Sequence, residues 1–161
     1  MALFRWPGRR AWAEAALYTL AFVLLALPFG LVSGLYKWAP SNDIDALIRF
    51  ALIAMVLPAI LEELVFRGPL LRQQTRTGHV PAWAIAAALI VFVIWHPLNT
   101  VLFMPQAAET FRDWRFLLVT AWLGLIATLM TLRTRSLWPA ILFHWGIVLA
   151  WKSLLGAPGF L

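Results

Sequence analysis

The sequence predicts an all-α fold, a polytopic membrane helix bundle of about five transmembrane helices with a short amphipathic segment at one interface. Three observations predict it. Hydrophobic residues make up 63% of the 161 residues and charged ones only 12%, where an average soluble domain is about 25% charged. Apolar runs recur at residues 15–35, 47–71, 80–104, 116–132 and 137–155, each near or above the roughly 20 residues that cross ~30 Å of hydrocarbon. The linkers between them are short, at 37–43, 75–81, 105–113 and 133–136, which points to a single transmembrane helical domain over 1–161.

The run at 15–35 follows Arg5, Arg9 and Arg10. It is too long for a signal-peptide core of about 7 to 15 residues and lacks a small-x-small cleavage site, so it reads as a retained first helix. In the second run, Ser41 or Asn42 can cap the helix, with Asp43 and Asp45 favourably placed in its first turn. Pro58 predicts a kink and a freed backbone carbonyl one turn before Glu62. Past Gly68 and Pro69, residues 70–77 carry Arg72, Gln73, Gln74 and Arg76, an amphipathic extension suited to the interface. The third run holds Phe92, His96 and Pro97, and the fifth holds His144. His79, in the loop between Gly78 and Pro81, reads as interfacial.

Alternating helices place Arg5, Arg9, Arg10, Arg67, Arg72, Arg76, Arg133 and Arg135 on one side, against Lys37, Arg49, Arg112, Arg115 and Lys152 on the other. The positive-inside rule then sets the N-terminus in the cytoplasm and the C-terminus outside, with a bacterial inner membrane as the expected location. The net charge of +6 lies at helix ends and forms no continuous basic face, so lipid bilayer, not nucleic acid, is the expected partner. The absence of cysteine excludes disulfides, thiolate metal sites and a cysteine nucleophile. Trp6, Trp12, Trp38, Trp83, Trp114, Trp138 and Trp151 fall near run ends, as an aromatic belt requires.

Glu62 and Glu63 interrupt the second run. Ionisable side chains are costly within a bilayer and persist there mainly for function. Glu63 and Arg67 are spaced i, i+4 in the favourable order for an ion pair, which leaves Glu62, about 100° around the helix, free for another partner. Alone, the pair reads equally as a span terminus with Arg67 snorkelling beside it. His96 and His144 shift that balance, because on ~1.5 Å of rise per residue both lie at depths comparable with Glu62. A desolvated carboxylate facing a histidine can take a proton from water, as a general base must.

These residues resemble the CAAX-protease and bacteriocin-processing family of intramembrane endopeptidases. Its first motif, two glutamates, three variable residues and an arginine, matches Glu62, Glu63 and Arg67; its second, Phe-x-x-x-His, matches Phe92 and His96. Its third, His-x-x-x-Asn, is matched at His144 but not at Val148, and the motif-bearing core covers about 42–155. The resemblance implies a glutamic-type peptidase without a cofactor, in which Glu62 and His96 activate water and His144 stabilises the oxyanion. Glu63, Arg67 and Phe92 would support them, and Asn99 is a candidate for the donor missing at Val148. A zinc-dependent version would use Glu62, His96 and His144 as ligands with a fourth position for water.

The implied substrate is a membrane-anchored protein or peptide: a prenylated C-terminus, a bacteriocin-like leader or a sorting tail. The short loops favour a membrane-embedded substrate with Trp95 and Trp145 along its path. Two other classes stay open. One is an inactive scaffold or immunity protein of the same fold, with Val148 marking decay; the other is a small proton-coupled transporter, since intramembrane Glu and His also form proton relays.

Overall fold

The computed structural model describes residues 5–157. Its helices are α1 (Arg9–Val32), α2 (Ile44–Thr77), α3 (Ala82–Leu102), α4 (Ala108–Phe111), α5 (Trp114–Thr134) and α6 (Trp138–Leu154). Every apolar run becomes a helix. Four of them, α1, α2, α3 and α5, are long and apolar enough to cross a membrane; α6, with 17 residues, is about 25 Å long at 1.5 Å per residue. Large apolar side chains such as Leu17, Leu24, Val65, Ile94 and Val101 lie exposed on the outer faces, as lipid-facing surface requires.

Local chemistry sets the helix ends. The cap of α2 is Asp43, not Ser41 or Asn42, because its carboxylate accepts from the Ala46 amide at 2.9 Å and so satisfies a donor the first turn leaves unpaired. Asp113 caps α5 in the same way, accepting from the Arg115 amide at 2.8 Å. The Arg115 side chain also donates to this carboxylate and holds the Asp113 carboxyl below its usual range. Gly78, at φ 73°, stops α2 in the left-handed conformation that costs glycine least.

Helix α2 is not uniform. Pro58 has no N–H to give to the preceding turn, and the chain answers with a π-helical stretch, Met55–Glu62. Such widened turns are rare and occur often at functional sites. The Ala51 carbonyl, just before the stretch, accepts from Trp145 Nε1 of α6 at 2.9 Å, so a backbone group near the irregular turns finds a partner across the bundle. Beyond a turn at Arg67, Gly68–Thr77 continues as the expected amphipathic segment. Its Leu70 and Leu71 are buried, and Gln74 Nε2 donates to the Leu132 carbonyl of α5 at 3.1 Å.

Helix α5 packs against α1, α3 and α6, while α6 lies also along α2. Small or hydroxylated residues, Gly124, Ala127, Thr128 and Thr131, are buried on α5 and allow close helix approach. At one end of the bundle Ser136 Oγ donates to the Arg5 carbonyl at 2.6 Å and Trp6 packs on Trp12 and Trp138. At the other, Arg115 Nη1 donates to the Ser33 carbonyl at 2.6 Å, and the amides of Lys37, Ala39 and Ser41 donate to the carbonyls of Leu155, Leu154 and Ser153. Those carbonyls lack partners within α6, so residues 37–41 form a strap across its end.

Gly30 of α1 receives the Tyr36 ring, and a Cβ there would lie 2.0 Å from the ring carbon Cδ2. Burial pushes the Tyr36 phenol up to about 12. Gly30→Ala must therefore expel this ring and should lower thermal stability by about 1–3 kcal/mol, the usual cost of overpacking. Thermal unfolding in detergent checks it; an unchanged midpoint would mean that the Gly30–Tyr36 contact contributes nothing.

Candidate active site

The five polar side chains singled out in the sequence come from three helices. Glu62, Glu63 and Arg67 lie on α2, His96 on α3 and His144 on α6. Glu62 ends the π-helical stretch and Glu63 opens the α-helical turn that follows, so the two carboxylates leave the backbone in different directions.

Glu63 is fully buried and Arg67 is 1% exposed. This excludes the reading of Arg67 as a snorkelling residue at a span end, and removes it from the basic side on which the positive-inside count placed it. Arg67 Nη1 donates to Glu63 Oε1 at 3.3 Å, and Nη2 to the Gly124 carbonyl of α5 at 3.0 Å. The guanidinium also lies over the Phe92 ring of α3, 4.0 Å from its centroid, a favourable cation–π arrangement in a desolvated site. A Cβ on Gly124 would stand 2.8 Å from the Phe92 ring and 3.0 Å from Arg67 Nη2; only glycine leaves this room.

Glu63 has a second partner that its local spacing did not reveal. His144 Nδ1 donates to the same Oε1 at 3.0 Å. The pair is 81 residues apart in sequence, and no local pattern could have found it. His144 is thereby oriented by a carboxylate, which leaves its Nε2 facing away from Glu63.

Glu62 takes its partner from α3, but that partner is Trp95, one residue before His96. Trp95 Nε1 donates to Glu62 Oε1 at 3.1 Å, while Oε2 is buried with no hydrogen-bond partner. No hydrogen bond joins Glu62 to His96 among the described residues; the α3 side chain that Glu62 bonds directly is Trp95. Successive helical side chains diverge by about 100°, and Trp95 is the one that reaches α2. His96 instead packs its ring against Phe92, Phe111 and Phe116 at 5.0, 5.7 and 5.6 Å between centroids. Its Nδ1 donates to the Phe92 carbonyl at 2.9 Å. Because a carbonyl only accepts, the neutral ring keeps Nε2 as its free acceptor.

Phe92, fully buried, lies between the two histidines and under the guanidinium. Asn99 is half-buried on α3, and its side chain makes no hydrogen bond among the described residues. Val148 is half-buried on α6, one turn past His144. Trp145, expected along a substrate path, is fastened instead to the α2 backbone. Among the described residues no three His, Asp or Glu side chains are grouped so as to hold one metal ion. Glu62, His96 and His144 as arranged do not fit zinc as its ligand set.

A family model described as type II CAAX prenyl endopeptidase Rce1-like matches residues 44–150 of the chain. That stretch takes in Glu62, Glu63, Arg67, His96, His144 and Val148. No curated protein and no solved structure matches.

Removing one member of a buried ion pair leaves the other charge without compensation, at a cost of about 3–5 kcal/mol. Glu63→Ala should lower thermal stability by this order, and adding Arg67→Met should recover part of the loss. A thermal unfolding cycle over the wild type, both single variants and the double variant checks it; strictly additive losses would mean that the two charges do not interact.

Proposed function

The chain belongs to the Rce1-like family of type II CAAX prenyl endopeptidases, and from that premise we propose that it hydrolyses a peptide bond with a water activated by Glu62 and His96. At family level it is a CAAX-type membrane protease and an integral multi-pass membrane protein. The observation that carries the finer reading is that Glu62, with a bare, buried Oε2, forms no ion pair among the described residues, whereas Glu63, whose Oε2 is bare as well, is paired to Arg67. A carboxylate oxygen without a partner, shielded from bulk water, is free to accept a proton from a water held beside it.

The chemistry runs through this chain's own groups. Glu62 Oε2 takes a proton from water as the water oxygen attacks the peptide carbonyl. His96, with Nδ1 committed to the Phe92 carbonyl, offers Nε2 as acceptor for the second hydrogen of that water and so orients it. The tetrahedral oxyanion needs donors. His144 can donate from Nε2 when that nitrogen carries a proton, and its ring is held through Nδ1 by Glu63, which is also the partner of Arg67. As the intermediate collapses, the C–N bond breaks and Glu62 returns its proton to the leaving amine.

Val148 cannot donate to the oxyanion. Loss of one such donor costs ~10² to 10³ in rate, so the enzyme works with a reduced oxyanion site unless Asn99 turns toward it. The substrate is membrane-anchored, because the short linkers supply no domain to bind a soluble one. The N-terminus is cytoplasmic, as Arg5, Arg9, Arg10, Arg72, Arg76, Arg133 and Arg135 share one side. The mechanism uses no metal.

Co-expression with membrane-anchored substrates tests the reading. Glu62→Gln, His96→Ala and His144→Ala, each at wild-type protein level, should lower processing by at least ~10², the contribution of one acid–base or oxyanion group. Unchanged processing by folded Glu62→Gln protein would sink Glu62 as the base, whereas a wild type that processes none of these substrates would favour an inactive scaffold or a proton carrier. Exhaustive chelation should leave activity intact, whereas loss reversed by added zinc would overturn the metal-free mechanism. Val148→Asn should match or exceed wild-type activity, measured as rate of product formation.

A further inference from the structure

We infer that Trp95 is a positioning residue for the reaction: its indole N–H holds Glu62 Oε1 and so aims Oε2 at the water. This rests on the reading of Glu62 as the general base. The bond is 3.1 Å long, and it is the one side-chain hydrogen bond Glu62 makes among the described residues. A glutamate has three side-chain torsions, and the last is broad. Without a fixed partner, the carboxylate plane rotates and its two oxygens exchange roles. With Oε1 held, one oxygen is always the acceptor.

Trp95 is suited to this task by its own surroundings. It is half-buried, packed against the main apolar core, and its ring lies 6.3 Å from that of Phe103, the residue that follows α3. An indole has a single donor and no acceptor, so it cannot take the proton that Glu62 receives. It also precedes His96 directly in sequence, so one turn of α3 carries both the group that aims the base and the histidine that orients the water. The two restraints on the reacting water thus move as a unit. Side chains that hold a reacting group in its productive geometry gain their effect by restricting such motion.

The bond and its effect are separable in experiment. In nanodiscs, the ¹⁵N-indole resonance assigned to Trp95 by its absence in Trp95→Phe should shift in Glu62→Ala and exchange with solvent faster. An unmoved resonance means the bond is not formed, and overturns the inference whatever the activity. With a farnesylated peptide bearing a C-terminal CAAX sequence, Trp95→Phe should lower kcat on the order of 10-fold to 100-fold, the worth of a hydrogen bond to a charged group. KM should change less than about twofold, since an interaction that aids chemistry alone acts on kcat. Trp95→His, which restores a ring N–H, should regain part of kcat. Wild-type kcat in Trp95→Phe overturns the positioning role, as does a loss of kcat that Trp95→His fails to relieve at equal thermal stability. A wild type that cleaves neither this peptide nor any membrane-anchored reporter overturns the peptidase reading itself, and the NMR result still decides whether the bond exists.

Discussion

The Arg67 guanidinium lies at the centre of the bundle, and each helix that carries a site residue is fastened to it or to its carboxylate partner. Through Glu63 it reaches His144 on α6; through the Gly124 carbonyl it reaches α5; through the Phe92 ring it reaches α3. Burying two charges costs several kcal/mol per ion, and the cost is offset only while each hydrogen-bond partner stays in place. A sliding or rotation of α3, α5 or α6 would strip a charge of its compensation. The arrangement therefore acts on register as much as on stability. It sets the depth at which Glu62, His96 and His144 sit.

The adjacent glutamates divide their labour through the backbone. Glu63 faces inward to a cation and a histidine, where it accepts from two donors at one oxygen. Glu62 faces α3, where its Oε1 accepts from one neutral donor; each glutamate keeps its Oε2 bare, but only Glu63 is paired to a cation among the described residues. The π-helical stretch ends between them, so the geometry that separates their roles is set by Pro58, a residue with no polar atom in its side chain. A helix-breaking residue near a membrane site thus shapes the chemistry without touching it.

What could be read from the residues alone follows the range of each interaction. Hydropathy set the five helices, and the i, i+4 spacing identified the Glu63–Arg67 pair, because both are local properties of the chain. The divergence of Glu62 from Glu63 was legible for the same reason. The partners themselves were not. Trp95 rather than His96 bonds Glu62, and His144 bonds Glu63, because helix rotation is decided by packing of Phe92, Gly124 and Arg67 across the bundle. The same holds for Arg67: a basic residue near the end of an apolar run looks interfacial until the neighbouring helices are present to enclose it. The strap at residues 37–41 was invisible because its hydrogen bonds use backbone amides, which no side-chain pattern advertises.

Helix α6 is the shortest of the five long helices, at 17 residues, and within it Leu154 alone among the large apolar side chains is exposed. Lipid touches little of it. A helix in contact with acyl chains is pressed to match the bilayer, and one that is too short draws the membrane thinner or tilts. Enclosed by its neighbours, and tied at its end by residues 37–41, α6 is exempt from that pressure. The outer helices answer to membrane thickness, while the histidine on α6 keeps its level when the lipid composition changes.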